Sequence, residues 1–186
     1  MKRAMIALAL LVAAANADAC ELHKKAAKAP AAVETSIPDV KVTTHDGRTV
    51  NFYSDLIRNK VVAVNFVFTS CTTVCPPLGA IFGKLQDQHK GAHLVSVSID
   101  PEVDTPARLT AWSKKFGARP GWTLVTGKKD DITRLLKALN AYSPDYVNHQ
   151  PVTLIGNDAT GTWKRSYGFT TAAKLAGMLR EVESGS

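Results

Sequence analysis

Residues 61 to 85, Val-Val-Ala-Val-Asn-Phe-Val-Phe-Thr-Ser-Cys-Thr-Thr-Val-Cys-Pro-Pro-Leu-Gly-Ala-Ile-Phe-Gly-Lys-Leu, leave few folds open to this chain. The run Val61 to Phe68 is β-branched and aromatic and almost free of polar residues, the pattern of a strand buried on both faces in the middle of a sheet. Beyond it, Leu78, Ile81, Phe82 and Leu85 recur at i, i+3, i+4 and i+7, the apolar stripe of a helix that packs on that sheet. Pro76 and Pro77 lack backbone donors and fit a helix's first turn, so the helix is expected to begin at or just after Cys75. The order is strand, cysteine loop, helix, with Cys71 and Cys75 at the helix N-terminus.

That position carries chemistry. Unpaired N–H groups and the helix dipole stabilise a thiolate, so at least one of the two cysteines is expected to ionise more readily than a free thiol. Two soft thiolates held together suit a monovalent copper ion; they can equally oxidise to a disulfide and act as a redox pair. The plain alternatives are a structural disulfide or two buried small residues. A structural cystine rarely needs a strand-to-helix loop followed by two prolines.

With 186 residues and 45% hydrophobic content, the chain is long enough for one domain with a full core and a tail. Its formal charge is +7, but the basic residues are scattered as singles and pairs, which argues against nucleic-acid binding. Lys2-Arg3, the apolar stretch Ala4 to Ala15 and the small residues around Ala17-Asp18-Ala19 have the regions of a secretory signal peptide over residues 1–19, so export to a bacterial periplasm is expected. The apolar run is short for a bilayer span. Cys20 stands where a bacterial lipoprotein would carry its acylated cysteine and be tethered to the membrane. Asp18 and Ala17 depart from that signal, and the alternative is a thiol in a tail, with His23 three residues on as a loose metal partner. Residues 20–35 are rich in Ala and Lys and read as a flexible linker, with the domain over 36–186.

Along the domain, Val40 to Thr43 and Thr49 to Phe52 flank His45-Asp46-Gly47-Arg48, a β-hairpin signal beside which His45 is expected to be solvated. A second strand, His93 to Ile99, leads to Thr105 and Pro106, the N-cap and first residue of a helix to Phe116 that Gly117 stops. Trp122 to Thr126 reads as a strand, and Asp130 or Asp131 is expected to cap a helix through Ile132, Leu135, Leu136 and Leu139. Asn140 to Gln150 has no regular period and forms a long loop, a place where function tends to lie. Pro151 to Ile155 is a strand, Asn157 to Gly161 a turn, and Thr162 to Tyr167 the returning strand. Thr170 or Thr171 caps a last helix with Leu175, Met178, Leu179 and Val182 on one face. The order β-α-β-α-β-α-β-β-α is an α/β, thioredoxin-like fold with an N-terminal β-hairpin extension and an insertion.

Three blocks go further: Phe68-Thr69-Ser70-Cys71-Thr72-Thr73-Val74-Cys75-Pro76, then Ser98-Ile99-Asp100-Pro101-Glu102-Val103-Asp104-Thr105-Pro106, then Asp145-Tyr146-Val147-Asn148-His149. In this order and spacing they resemble the signature blocks of the Sco/SenC family, and the resemblance covers about residues 36 to 183. It implies a copper-binding metallochaperone that helps assemble the binuclear copper centre of cytochrome c oxidase subunit II, or serves another cuproprotein. The implied ligands are Cys71, Cys75 and His149. Two thiolates satisfy Cu(I) and an added imidazole suits Cu(II), so one site would hold either state and release it by ligand exchange. His89 and His93 are expected to be structural or solvated. Asp100 and Asp104 are read as support for the site, as a docking surface, or as turn and cap chemistry, and not as ligands.

The chain departs from the family pattern at Thr72-Thr73, where Pro-Asp is usual, and at Asn148, where Asp is usual. The site is thereby less negative, which should weaken Cu(II) retention more than Cu(I). Pro151 heads a strand where thioredoxin-like reductases keep a cis-proline, and a cis Gln150-Pro151 bond would lie beside the sulfurs. The alternative function is therefore a periplasmic thiol-disulfide oxidoreductase acting on the cysteines of a cuproprotein, with Cys71 attacking and Cys75 resolving through a Cys71–Cys75 disulfide. Thr69-Ser70-Cys71 has the wrong spacing for a peroxidase. Nothing apolar is left over for a large obligate interface, so a monomer is expected.

Overall fold

The computed structural model describes residues 37–145 and 150–185. Its seven strands are β1 (Lys41–Thr44), β2 (Thr49–Asn51), β3 (Val61–Val67), β4 (His93–Ser98), β5 (Trp122–Gly127), β6 (Val152–Asn157) and β7 (Thr162–Tyr167), and its α-helices are α1 (Cys75–Gln88), α2 (Pro106–Lys115), α3 (Lys129–Ala138) and α4 (Ala172–Ser184). The strands form one sheet in the order β2-β1-β5-β4-β3-β6-β7. β3, β4 and β5 run parallel, and β6 and β7 on one side and β1 and β2 on the other pair antiparallel. This is the thioredoxin-like α/β arrangement with the hairpin of β1 and β2 added at one edge.

β3 lies between β4 and β6 and is covered on both faces. Its alternation divides the core in two. Val62, Val64 and Phe66 point into a cluster with Val40, Phe52, Ile57 and the α3 residues Ile132 and Leu135. Ala63 and Val67 point into a cluster with Phe82 and Leu85 of α1, Leu109 of α2 and Leu175 and Leu179 of α4. Period 2 in the strand and period 3.6 in the helices meet here as the sequence requires.

Side-chain caps open α2 and α4. Thr105 accepts from the Arg108 N–H at 3.3 Å before α2, and Thr171 accepts from the Lys174 N–H at 3.3 Å before α4. α3 corrects the sequence reading. It begins at Lys129 with Lys128 as an N-cap that makes no side-chain bond, and Asp130 and Asp131 lie in its first turn, where they complement the dipole without capping.

A π-helical turn, Phe52–Ile57, follows β2 and has no counterpart in the sequence reading. It is fixed from a distance. The Asp39 carboxylate accepts the N–H groups of Tyr53 and Ser54 at 3.0 and 2.9 Å, and the Ser54 hydroxyl also bonds to it. Those bonds pull the Asp39 pKa below the usual carboxylate value, the Ser54 hydroxyl contributing most.

Two glycines fix how α1 lies. A Cβ on Gly79 would sit 2.5 Å from the Phe116 ring, and one on Gly83 would sit 2.3 Å from the Phe116 carbonyl oxygen. Only a bare backbone lets α1 approach the end of α2 this closely.

Candidate dithiol and metal site

Cys75 is the first residue of α1 and is fully buried, whereas Cys71, four residues earlier, is half-buried; both are free thiols. The loop between them curls back so that the Cys75 N–H donates to Cys71 Sγ at 3.2 Å. At its start the Cys71 N–H donates to the Phe68 carbonyl at 3.2 Å, closing a turn at the end of β3.

The two thiols have opposite acidities. At Cys71, burial is the largest influence and pushes the pKa up. The hydrogen bonds from the N–H and thiol of Cys75 and from the N–H groups of Thr73 and Val74 together outweigh it, and the pKa falls below the ordinary thiol value. At Cys75, burial again dominates; one N–H from Phe68 opposes it, the Cys71 sulfur and the Asp104 carboxylate add to it, and the pKa is pushed up to about 12. The easily ionised thiol expected at the helix N-terminus is thus Cys71. Cys75 begins the helix but faces the core, and its N–H serves the other sulfur.

Asp104, 1% exposed, braces the loop from the neighbouring strand connection. It accepts the Thr69 N–H at 3.1 Å, the Thr69 hydroxyl at 2.5 Å and the Ser98 hydroxyl at 2.7 Å. On its outer side Thr69 Oγ1 accepts from Arg108 Nε at 3.1 Å. Of the roles the sequence left open for Asp104, the structure places it in support of the cysteine loop. Thr69, Ser98 and Arg108 were not singled out by sequence, although Thr69 and Ser98 both stand inside signature blocks.

The start of β6 reaches the same end of the sheet. Asn65 of β3 is in register with Thr153, and the Gly168 N–H donates to the Pro151 carbonyl at 2.9 Å. On the other flank, Tyr142, Ser143 and Pro144 line a cleft of 230 Å³ with Ile99 to Glu102, the residues just after β4. His149 lies outside the described residues, as do Cys20 and His23. No peptide bond among the described residues is cis, so Gln150-Pro151 is trans and the cis arrangement weighed from the sequence is not present. Among the described residues, no three His, Cys, Asp or Glu side chains come together as a metal-binding group.

The other histidines are structural. His45 is half-buried, and its Nδ1 accepts the Leu124 N–H at 3.2 Å, so it extends the β1–β5 pairing and is not the solvated residue the hairpin suggested. His89 accepts the Ala92 N–H at 3.2 Å on Nδ1 and meets Glu183 at 3.1 Å through Nε2. His93 is mostly enclosed, and burial, with Lys60 nearby, lowers its pKa.

Residues 29–174 match the SCO1/SenC family model. The chain belongs to the SCO1/SenC family. Over 158 residues, 76% of this chain and 78% of the relative, it is 35% identical to the SCO1 protein homolog of Bacillus subtilis strain 168. Among solved structures it resembles a SCO1/SenC family lipoprotein of Bacillus anthracis, with a TM-score of 0.66 and 27% identity over 77% of this chain and 92% of that one. It also resembles BsSco, a member of the Sco family of cytochrome c oxidase assembly proteins in which a disulfide switch has been identified. There the TM-score is 0.67 and the identity 25% over 81% of this chain and 94% of that one. Arabidopsis thaliana ScoI with copper bound shares the fold, with a TM-score of 0.61 and 21% identity over 77% of this chain and 96% of that one. Among the described residues of this SCO1/SenC chain, no helix is long and apolar enough to cross a membrane.

Proposed function

We propose that the protein is an exported copper chaperone that binds the ion through Cys71, Cys75 and His149 and passes it to a cuproprotein during assembly of cytochrome c oxidase, with the copper centre of subunit II as recipient. Family membership supports the assembly role. The observation that carries the site is the pair of free thiols bound N–H to sulfur across the loop, one half-buried and one buried. Two soft sulfurs at one loop fit Cu(I), and a partly accessible sulfur allows a recipient's ligand to displace it. Copper is the cargo, so accessibility is as much a requirement as affinity. The Bacillus anthracis relative is a lipoprotein, which supports tethering of this chain through Cys20 after removal of residues 1–19.

X-ray absorption on the reduced protein loaded with one Cu(I) tests the ligand set. Two sulfurs and one imidazole nitrogen are expected. Sulfur ligation alone, unchanged in His149→Ala, contradicts the assignment of His149.

The thiol-disulfide oxidoreductase remains a second reading because of one observation, the asymmetry of the pair. A half-buried thiol of lowered pKa beside a buried thiol of raised pKa suits attack by Cys71 and resolution by Cys75. The two readings meet in one cycle, since only the dithiol can take up copper.

A further inference from the structure

The Asp104 carboxylate is almost wholly buried, 1% exposed. Its oxygens take the Thr69 N–H at 3.1 and 3.2 Å, the Thr69 hydroxyl at 2.5 Å and the Ser98 hydroxyl at 2.7 Å. Thr69 gives its hydroxyl proton to Asp104 and accepts Arg108 Nε at 3.1 Å on the same oxygen, so it is held from both sides. Asp104 is itself anchored, its N–H donating to the Asp100 carbonyl at 2.9 Å. The loop that leaves β3 is thereby tied to the loop that leaves β4.

The tie falls next to the sulfurs. Phe68, adjacent to Thr69, accepts the Cys71 N–H at 3.2 Å, and its own N–H faces the Cys75 sulfur. Rotation of the Thr69 backbone would displace both contacts at once. We propose that Asp104 is a positioning residue whose grip on Thr69 holds Cys71 and Cys75 at the separation at which they act as a pair. This rests on the reading that the two cysteines function together. Preorganisation of this kind appears as a high effective concentration of one thiol at the other, since two groups held in place lose little freedom when they join.

The test is equilibration of the exported domain with reduced and oxidised glutathione. In it the dithiol and one oxidised glutathione give the Cys71–Cys75 disulfide and two reduced glutathiones, a two-electron exchange in which both thiol protons pass to the released glutathiones. The equilibrium constant is the effective concentration of the pair. Asp104→Ala is expected to lower it about tenfold or more, and Thr69→Val, which keeps the N–H and loses the hydroxyl, by about threefold. Asp104→Asn keeps an oxygen toward Thr69 and lets the Ser98 hydroxyl turn to accept, so it is expected to stay within about twofold of the parent. Val64→Ala, on the opposite face of β3, serves as the control for loss of stability alone.

An unchanged constant in Asp104→Ala overturns the proposal, as does an equal fall in Val64→Ala or a fall in Asp104→Asn as deep as in Asp104→Ala. If Asp104→Ala does not fold, an unchanged constant in Thr69→Val overturns it. A parent protein that forms no Cys71–Cys75 disulfide removes the pair and the proposal together, an outcome distinct from a parent that forms it and variants that match.

Discussion

The N–H of Cys75 points at the sulfur of Cys71, 3.2 Å away, and so gives the first donor of α1 to the outer thiol, while at the inner one burial outweighs the N–H of Phe68. The consequence is selective reactivity. Iodoacetamide at neutral pH is expected to modify Cys71 alone in the reduced native domain and to reach Cys75 only on unfolding. Peptide mass spectrometry reads this directly; comparable labelling of both cysteines in the native state contradicts it.

The acidities also set how copper uptake depends on pH. Binding requires thiolates, so it displaces whatever protons the free site holds. Cys75, with its pKa pushed up to about 12, is protonated throughout the neutral range and contributes one proton to displace. Where Cys71 is ionised, the Cys75 proton alone is expected to make apparent Cu(I) affinity rise about tenfold per pH unit, and more steeply at lower pH, where a proton on Cys71 is displaced as well. Competition titrations at a series of pH values measure the slope. An affinity that does not change with pH contradicts the protonation states assigned here.

Two glycine-to-alanine changes separate packing from propensity. Alanine gains about 1 kcal/mol over glycine in a helix interior. At Gly177 in α4 the nearest atom to a new Cβ is the end of Arg180, 3.9 Å away, so Gly177→Ala is expected to stabilise by about 1 kcal/mol. At Gly83 a new Cβ meets the Phe116 carbonyl oxygen at 2.3 Å, a backbone atom that can yield only if α1 or the end of α2 moves. Overpacking of about 1–3 kcal/mol outweighs the gain, and Gly83→Ala is expected to destabilise. Denaturant unfolding of both variants checks the opposite signs.

The sequence carried the frame because the signals that define it are local and periodic. The run from Val61 and the stripe Leu78, Ile81, Phe82 and Leu85 needed no tertiary knowledge to place a central strand and its helix, and Thr105 and Thr171 announced their helices by cap chemistry. What it did not carry depends on residues far apart. The turn at Phe52–Ile57 exists because Asp39 reaches over to it, and His45 is structural because β5 presents the Leu124 N–H to it.

The division of labour between the cysteines was equally out of reach. Position at a helix N-terminus marks both for a lowered pKa; the hydrogen bonds that converge on Cys71 and the deeper burial of Cys75 assign the effect to Cys71. Asp104 was visible as an acid in the right block, but its three donors come from Thr69 and Ser98, and that meeting is made by β3 and β4 lying side by side.

Anaerobic Cu(I) titration against a competing chelator, with the reduced domain run beside His149→Ala and Cys71→Ser, tests the proposed copper site of two cysteines and a histidine most directly. Tight binding of one ion, weakened in His149→Ala and lost in Cys71→Ser, is the expected result. Weak binding that is indifferent to His149 would contradict the copper site and leave the dithiol reaction as the function of the pair.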